Sequence, residues 1–170
     1  MNKRMVVLTL AALLAPLSAA HSQGSKRPFN FNAPSVTGFG DAEVFITGGG
    51  TFDPVAGIVK AGGAFHVLRD ITVGPLAGVK AGETVRWDSE ELVRSFAIRC
   101  NGAETPRTVS TDDNTVVMNA DFYRAGDGDN ASLHAVMFVS ADDEDGGLGG
   151  NQTVWIQGVG CADALVDFHQ

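Results

Sequence analysis

Apolar residues occupy every second position from Val116 to Phe122 and again from Leu133 to Val139. A period of two places successive side chains on opposite faces of a β-strand, whereas an amphipathic helix repeats every 3.6 residues. Both runs therefore predict strands with one packed face and one wetter face.

The rest of the chain repeats this pattern in shorter pieces. Its 21 glycines lie mostly between apolar runs, as at residues 48–50 and 62–63, and predict breaks or turns there. Residues 89–92, where a serine precedes two glutamates, are the single helical candidate. About nine or ten short strands in one domain favour an all-β, Greek-key β-sandwich, with a closed antiparallel β-barrel as the alternative.

The first residues predict export. A basic start, Lys3-Arg4, precedes an apolar run and then small residues, the pattern of a secretory signal peptide over residues 1–22. We expect cleavage after Ala20 or after Ser22. The apolar run is shorter than the roughly 20 residues that span a bilayer, and no later stretch is apolar enough to do so. The mature chain is therefore expected to be secreted or periplasmic.

The mature chain has the length of one domain. Residues 23–41 are rich in Ser, Gly, Asn and Pro and predict an extended lead-in, followed by a single all-β domain over residues 42–170. A chain of roughly 150 residues buries about two-thirds of its unfolded surface, enough for an ordinary apolar core.

The two cysteines predict a disulfide bond. Cys100 and Cys161 end apolar, strand-like runs in a chain expected to reach an oxidising compartment. A bridge across this separation stabilises the fold by about 4 kcal/mol in the chain-entropy model.

Negative charge is concentrated in the second half of the chain. Residues 112–145 contain nine acidic residues and one basic residue, Arg124. Such a surface repels phosphate backbones, which argues against nucleic acid as a partner, and attracts cations or a basic partner. A solvated acidic edge that aids solubility explains the same pattern.

Two acidic loops are candidate calcium sites, because calcium prefers six to eight oxygen ligands from flexible loops. A direct strand between them would hold the loops roughly 30 Å apart, so each would need further ligands of its own. Neither loop matches the 12-residue calcium-loop pattern, and hydrated turns are the plainer interpretation. The candidate ligands are Asp127, Asp129, Asn130, Asp142, Asp143 and Asp145.

Trp87, Tyr123 and Trp155 are candidate ligand-binding residues, since together they would form an aromatic platform for a sugar or a proline-rich peptide. Core packing is the simpler role for the two tryptophans.

Acid–base chemistry is the alternative to binding. Asp121 is an acidic residue on an alternating strand and would form a carboxylate pair with Asp88, Glu43 or Asp167 if the fold brought them together. His66 and His134 are the histidines placed within strands. The usual nucleophile and zinc-protease motifs are missing from the sequence.

Four segments together resemble a group of small exported bacterial proteins without an assigned activity. They are residues 48–54, 86–88, 121–128 and 154–161. The resemblance covers about residues 44–168 and implies a bacterial envelope or secreted setting, with no catalytic residues to transfer. The triple glycine and the acidic loop also resemble β-sandwich modules of bacterial surface proteins.

The sequence therefore predicts an exported, non-enzymatic β-sandwich module that binds a partner or ligand. The alternatives are a small barrel or sandwich enzyme with an enclosed carboxylate or histidine, and a calcium-stabilised structural domain.

Overall fold

The computed structural model describes residues 26–124, 132–144 and 150–169. Within these residues the chain forms eleven β-strands and no helix. The strands are β1 (Arg27–Gly38), β2 (Glu43–Asp53), β3 (Ile58–Arg69), β4 (Thr84–Val93), β5 (Ser95–Ile98), β6 (Arg107–Ser110), β7 (Thr115–Arg124), β8 (Leu133–Ser140), β9 (Val154–Ile156), β10 (Gly160–Ala162) and β11 (Leu165–Phe168).

Eight of these strands form a closed antiparallel barrel. Neighbours pair in the order β10-β9-β8-β7-β4-β3-β2-β1, and β1 pairs in turn with β10, which closes the ring. Because the sheet closes on itself, its inner face forms the core without a second sheet to cover it. The Greek-key sandwich that the strand pattern favours is therefore wrong, and the alternative, a closed antiparallel barrel, is what the chain forms.

The long strand β1 allows this closure because it has different partners along its length. Its last residues pair with β10, with Thr37 opposite Cys161. Its first half pairs with β11, with Phe31 opposite Val166. The register between β1 and β2 shifts midway along β1, and such a bulge bends and twists a strand. The lead-in expected over residues 23–41 thus contributes one of the barrel strands.

Side chains fill the barrel interior, and Trp87 of β4 is the largest of them. It is fully buried, and its indole N–H donates a hydrogen bond to the Thr47 carbonyl oxygen at 3.2 Å. A Cβ atom at Gly48 would overlap the Trp87 ring, and one at Gly63 would lie 2.7 Å from its Nε1. The glycines at residues 48–50 therefore do not break the chain as predicted, since they lie inside β2, where Gly48 makes room for this ring and the other two lie close to the backbones of β1 and β3.

The predicted helical turn at residues 89–92 is also wrong, because these residues belong to β4. The pairing of β4 with β7 shifts register between Ser89 and Glu91. A β-bulge places one extra residue on a strand. Ser89 and the two glutamates after it, which have the pattern of a helix N-terminus, therefore lie at a bulge within a strand.

The two ends of the barrel are closed differently. Residues 70–83, which we call the capping loop, cover one end and are held by backbone hydrogen bonds such as Ile71 N–H to the Val79 carbonyl oxygen at 3.0 Å. The other end is closed by three rings packed against one another, those of Phe29, Phe52 and Phe168.

A second, smaller apolar cluster lies on the outside of the barrel. Residues 94–111, which we call the outer hairpin, contain β5 and β6 and cover the outward side chains of β7, β8 and β9. Cys100 of the hairpin and Cys161 of β10 form the predicted disulfide bond, with a Cα–Cα distance of 4.9 Å. The bridge is confirmed, and it holds the outer hairpin to the barrel wall. The covered side chains are those of Val117, Val136, Phe138 and Trp155.

Candidate functional site

A groove opens on the outside of the barrel between the outer hairpin and the capping loop. Its volume is about 380 Å³, within the range of roughly 300–1,000 Å³ found for small-ligand sites. Most of its lining is apolar or aromatic, as in such sites. The lining residues come from four segments of the chain and are Phe39, Val73, Gly74, Pro75, Phe96, Ala97, Arg99, Trp155, Gln157 and Gly158.

Trp155 of β9 contributes to the groove from a rigid position. Its side chain is outward-facing but only 3% of the residue is exposed. The indole stacks on Phe138 at a centroid distance of 6.2 Å and contacts the Phe96 ring at 5.8 Å. Its N–H donates to the Arg99 carbonyl oxygen at 2.9 Å, so the indole joins the barrel wall to the outer hairpin.

Two glycines bring the capping loop against the barrel. Gly74 and Gly158 have φ angles of +77° and +81°, in the left-handed region that favours glycine. A Cβ atom at Gly74 would lie 2.6 Å from the Gly158 Cα atom. This close approach requires glycine at both positions, and it sets the distance between the loop and the β9–β10 turn.

Arg99 is the single charged residue among those lining the groove. Its guanidinium carbon lies 5.9 Å from the centre of the Phe39 ring, a distance at which a cation is attracted to an aromatic face. The Phe39 backbone N–H donates to the Val159 carbonyl oxygen at 3.0 Å. The ring beneath the guanidinium is thus attached to the β9–β10 turn.

The three predicted ligand-binding aromatic residues lie in three different environments. Trp155 lines the groove, whereas Trp87 is enclosed in the barrel interior. Tyr123 lies on the outer face of β7, and its hydroxyl donates to Asp88 Oδ2 at 2.6 Å. The fold therefore does not assemble them into one platform, because β4 directs Trp87 inwards.

The predicted carboxylate pair exists on the outer face of the barrel. Asp88 of β4 lies directly opposite Asp121 of β7, which in turn lies opposite His134 of β8; we call these three residues the carboxylate row. Like charges opposite each other on a sheet are destabilising. One oxygen of Asp121, Oδ1, is buried and has no hydrogen-bond partner among the described residues.

Within this row, the pKa of His134 is shifted from its usual value. Its Nδ1 lies 2.8 Å from Glu90 Oε2. The hydrogen bond with Glu90 raises the pKa of His134 above its usual value, with smaller contributions from the charges of Glu90 and Asp121. Its side chain is 58% exposed, so this row is an open surface and does not form an enclosed site.

The other residues weighed for acid–base chemistry lie apart from this row. Glu43 forms an ion pair with Arg69 at 2.7 Å, and Asp167 forms one with His169 at 3.0 Å. His66 lies on β3, within hydrogen-bonding distance of a threonine hydroxyl. Of the three partners considered for Asp121, the fold brings only Asp88 beside it.

The described residues include two of the six predicted calcium ligands. Asp142 and Asp143 are described, and Asp143 Oδ1 accepts a hydrogen bond from the Gln152 backbone N–H at 2.9 Å. Among the residues that the structure describes, no three His, Cys, Asp or Glu side chains come together as a metal site. The remaining candidates lie outside the described residues and are Asp127, Asp129, Asn130 and Asp145.

Sequence reasoning missed most of the groove. Phe39, Pro75, Phe96 and Arg99 are separated by as many as 60 positions, and no local pattern relates them. The available signals were indirect: Gly74-Pro75 indicates a turn, and the disulfide brings residues near Cys100 to those near Cys161.

Residues 1–22, the predicted signal peptide, lie outside the described part of the chain. In the part that is described, no helix has the length and apolar character needed to cross a membrane. Comparison of the chain with family models, with curated proteins and with solved structures gave no significant match.

Proposed function

We propose that this chain is an exported, non-enzymatic β-barrel module that binds a small apolar or aromatic ligand in the groove. The observation that carries the proposal is the groove itself, a space of about 380 Å³ in which Phe39 and Phe96 supply aromatic surface beside the largely buried Trp155. Apolar clefts of this size with a few polar groups are the usual form of ligand sites.

The rigidity of the groove walls supports the proposal. The Cys100–Cys161 bridge holds one wall, and the Gly74–Gly158 approach positions the other. Binding costs less free energy when the site is already ordered, because fewer side chains and loops lose freedom. A groove whose walls are held by a disulfide and a close backbone contact is suited to a ligand that makes only a few contacts.

Two further observations support binding over catalysis. The groove-lining side chains are apolar or aromatic apart from Arg99 and Gln157, and neither of these is a common general base. The carboxylate row lies on the outer face of β4, β7 and β8, among exposed residues.

The proposed setting is the bacterial envelope or the extracellular space. Residues 1–22 carry the signal-peptide pattern, and the disulfide bond suits an oxidising compartment. The resemblance to small exported bacterial proteins supports the same setting.

The direct test is a titration with 2-naphthamide, a neutral two-ring probe, followed by backbone NMR. We expect concentration-dependent shifts centred on Arg99, Gln157 and Gly158. The variant Ala97→Trp fills the groove from an exposed position on β5 and should weaken binding at least tenfold. The matched control, Ala64→Trp, adds the same side chain at an exposed position on β3 and should bind normally.

Shifts that cluster elsewhere, or equal binding by Ala97→Trp and Ala64→Trp, would overturn the groove as the ligand site. Failure of the wild-type protein to bind any aromatic probe would remove the proposal itself.

A further inference from the structure

We propose that the groove selects aromatic or apolar ligands that carry a carboxylate, and that Arg99 determines this selectivity. The inference rests on the proposed function and identifies the chemical class of its ligand.

The local charge of the groove is opposite to that of the chain. The full sequence has 20 acidic and 12 basic residues, yet the groove lining contains Arg99 and no acidic residue. The outer hairpin that supplies Arg99 is itself basic, because Arg94, Arg99 and Arg107 outnumber Glu104. An anionic ligand thus meets an attractive potential at this groove on an otherwise acidic protein.

Glu104, the one acidic residue of the outer hairpin, forms its hydrogen bonds within the turn that follows β5. The Glu104 carboxylate accepts hydrogen bonds from the Cys100 backbone N–H at 2.9 Å and from the Asn101 side-chain amide. It therefore stabilises the turn after β5 and has fewer acceptor positions left for Arg99.

Arg99 differs from the ion-paired arginines of the barrel. Arg69 and Arg124 are paired with Glu43 and Glu83 at 2.7 and 2.9 Å. Within the described residues, Arg99 has no carboxylate at ion-pairing distance, and its guanidinium group lies near the Phe39 ring. Its N–H donors are therefore available to a ligand.

The position of Arg99 near Phe39 suits it to a carboxylate ligand. A guanidinium group is planar and donates two parallel hydrogen bonds to a carboxylate along its edge. An aromatic ring centred 5.9 Å from the guanidinium carbon attracts the cation without using its N–H donors, so these donors stay accessible to a ligand. The aromatic walls would hold the rings of such a ligand while its carboxylate reaches Arg99 at the rim.

Three probes with the same ring system and different charge test this inference. They are 2-naphthoate (anionic), 2-naphthamide (neutral) and 2-naphthylmethylamine (cationic), titrated at pH 7 and low salt. Because an exposed ion pair contributes only modestly, we expect naphthoate to bind up to about fivefold more tightly than naphthamide. The cationic probe should bind most weakly.

The variants separate the charge of Arg99 from the shape of the groove. Arg99→Gln should reduce naphthoate affinity to that of naphthamide while changing naphthamide affinity less than about twofold; Arg99→Lys should retain part of the preference. The matched control is Arg94→Gln, which removes the same charge from an exposed hairpin position outside the groove lining. It should leave all three affinities near those of the wild type.

Two results would overturn the inference while the proposed function stands: equal wild-type affinity for naphthoate and naphthamide, or an equal loss of both in Arg99→Gln. If Arg99→Gln proves unfolded by NMR, Arg99→Lys and the salt dependence of naphthoate binding decide the question. Absence of binding by all three probes would overturn both the inference and the proposed function.

Discussion

The two tryptophans belong to two regions built in different ways. Trp87 lies inside the barrel, enclosed by strands that neighbour one another in the ring and packed on glycines. Trp155 lies on the outer wall, beneath a hairpin that is joined to the barrel by a disulfide and by the indole hydrogen bond. The interior holds most of the buried apolar side chains, whereas the outer layer covers the wall incompletely and leaves the groove beside it.

This difference assigns most of the folding stability to the barrel interior and ligand binding to the outer layer. Filling the barrel gives the protein its stable core, because closely packed apolar side chains are removed from water. The outer layer adds a smaller cluster, and its edge supplies the aromatic and cationic surface of the groove. Changes in the interior should therefore unfold the whole protein, and changes in the outer layer should affect the groove first.

The largest expected effect is that of Trp87→Ala. Removing a fully buried tryptophan leaves a cavity, and we expect the free energy of unfolding to fall by about 3–5 kcal/mol. Urea denaturation measures this loss. Trp155→Ala is the comparison, and it should cost less, because one side of that indole is covered only by the outer hairpin. A larger loss for Trp155→Ala would contradict the division between the two regions.

Removing the disulfide should have the next largest effect. The double variant Cys100→Ala/Cys161→Ala releases the link between residues 61 positions apart, and we expect a loss of about 2–4 kcal/mol. Binding of 2-naphthamide should weaken as well, since the outer hairpin loses its covalent attachment. NMR signals of β2 and β3 should keep their positions; if they collapse with the hairpin signals, the barrel is not independent of its outer layer.

Gly74→Ala tests the wall formed by the capping loop. We expect a loss of about 2–3 kcal/mol, because the variant combines a left-handed φ with a contact to the Gly158 backbone. Gly57→Ala is the matched control: Gly57 has a φ of +71°, and a Cβ atom there meets nothing within 4 Å. It should cost about 1–2 kcal/mol, the backbone part alone. If thermal unfolding shows that both variants lose the same stability, the close approach of Gly74 to Gly158 does not exclude a Cβ atom.

The smallest expected effect is the pH dependence contributed by His134. Its pKa is raised in the folded state by the hydrogen bond with Glu90. The stabilisation is therefore fully present below about pH 6.5, the unfolded value, and is lost as the pH rises through the folded pKa. Because the side chain is largely exposed, the contribution should be at most about 0.5 kcal/mol.

Unfolding midpoints at pH 5.5 and pH 8 measure this contribution. The wild type should lose slightly more stability across this interval than His134→Gln does, and Glu90→Gln should remove most of the difference. A His134→Gln variant that shows the same pH dependence as the wild type would show that the pair contributes nothing.

Local patterns predicted the parts of the fold that depend on neighbouring residues. The apolar positions from Val116 to Phe122 do face the barrel core, and most of those from Leu133 to Val139 do so as well. Both predictions rest on the two-residue period of a strand, which is independent of what the strand packs against. The disulfide was predictable too, because it required only two cysteines and an oxidising compartment.

Local patterns failed where distant residues decide the outcome. Residues 48–50 have the composition of a turn, but they lie within β2, where a Cβ atom at Gly48 would overlap the Trp87 ring and one at Gly49 or Gly50 would meet the backbone of a neighbouring strand. The groove was hidden for the same reason, since Phe39, Arg99 and Trp155 become neighbours only after the barrel closes and the hairpin folds over it.

The sequence by itself determined that this chain is all-β, which apolar side chains of β7 and β8 face the barrel core, and which cysteines pair. Alternation and composition act over a few residues and survive any arrangement of the strands. Only the tertiary structure decided that β1 meets β10 to make a barrel, and that a groove lies beside the outer hairpin. Strand partners far apart in the chain are selected by the packing of the whole core, which no single segment encodes.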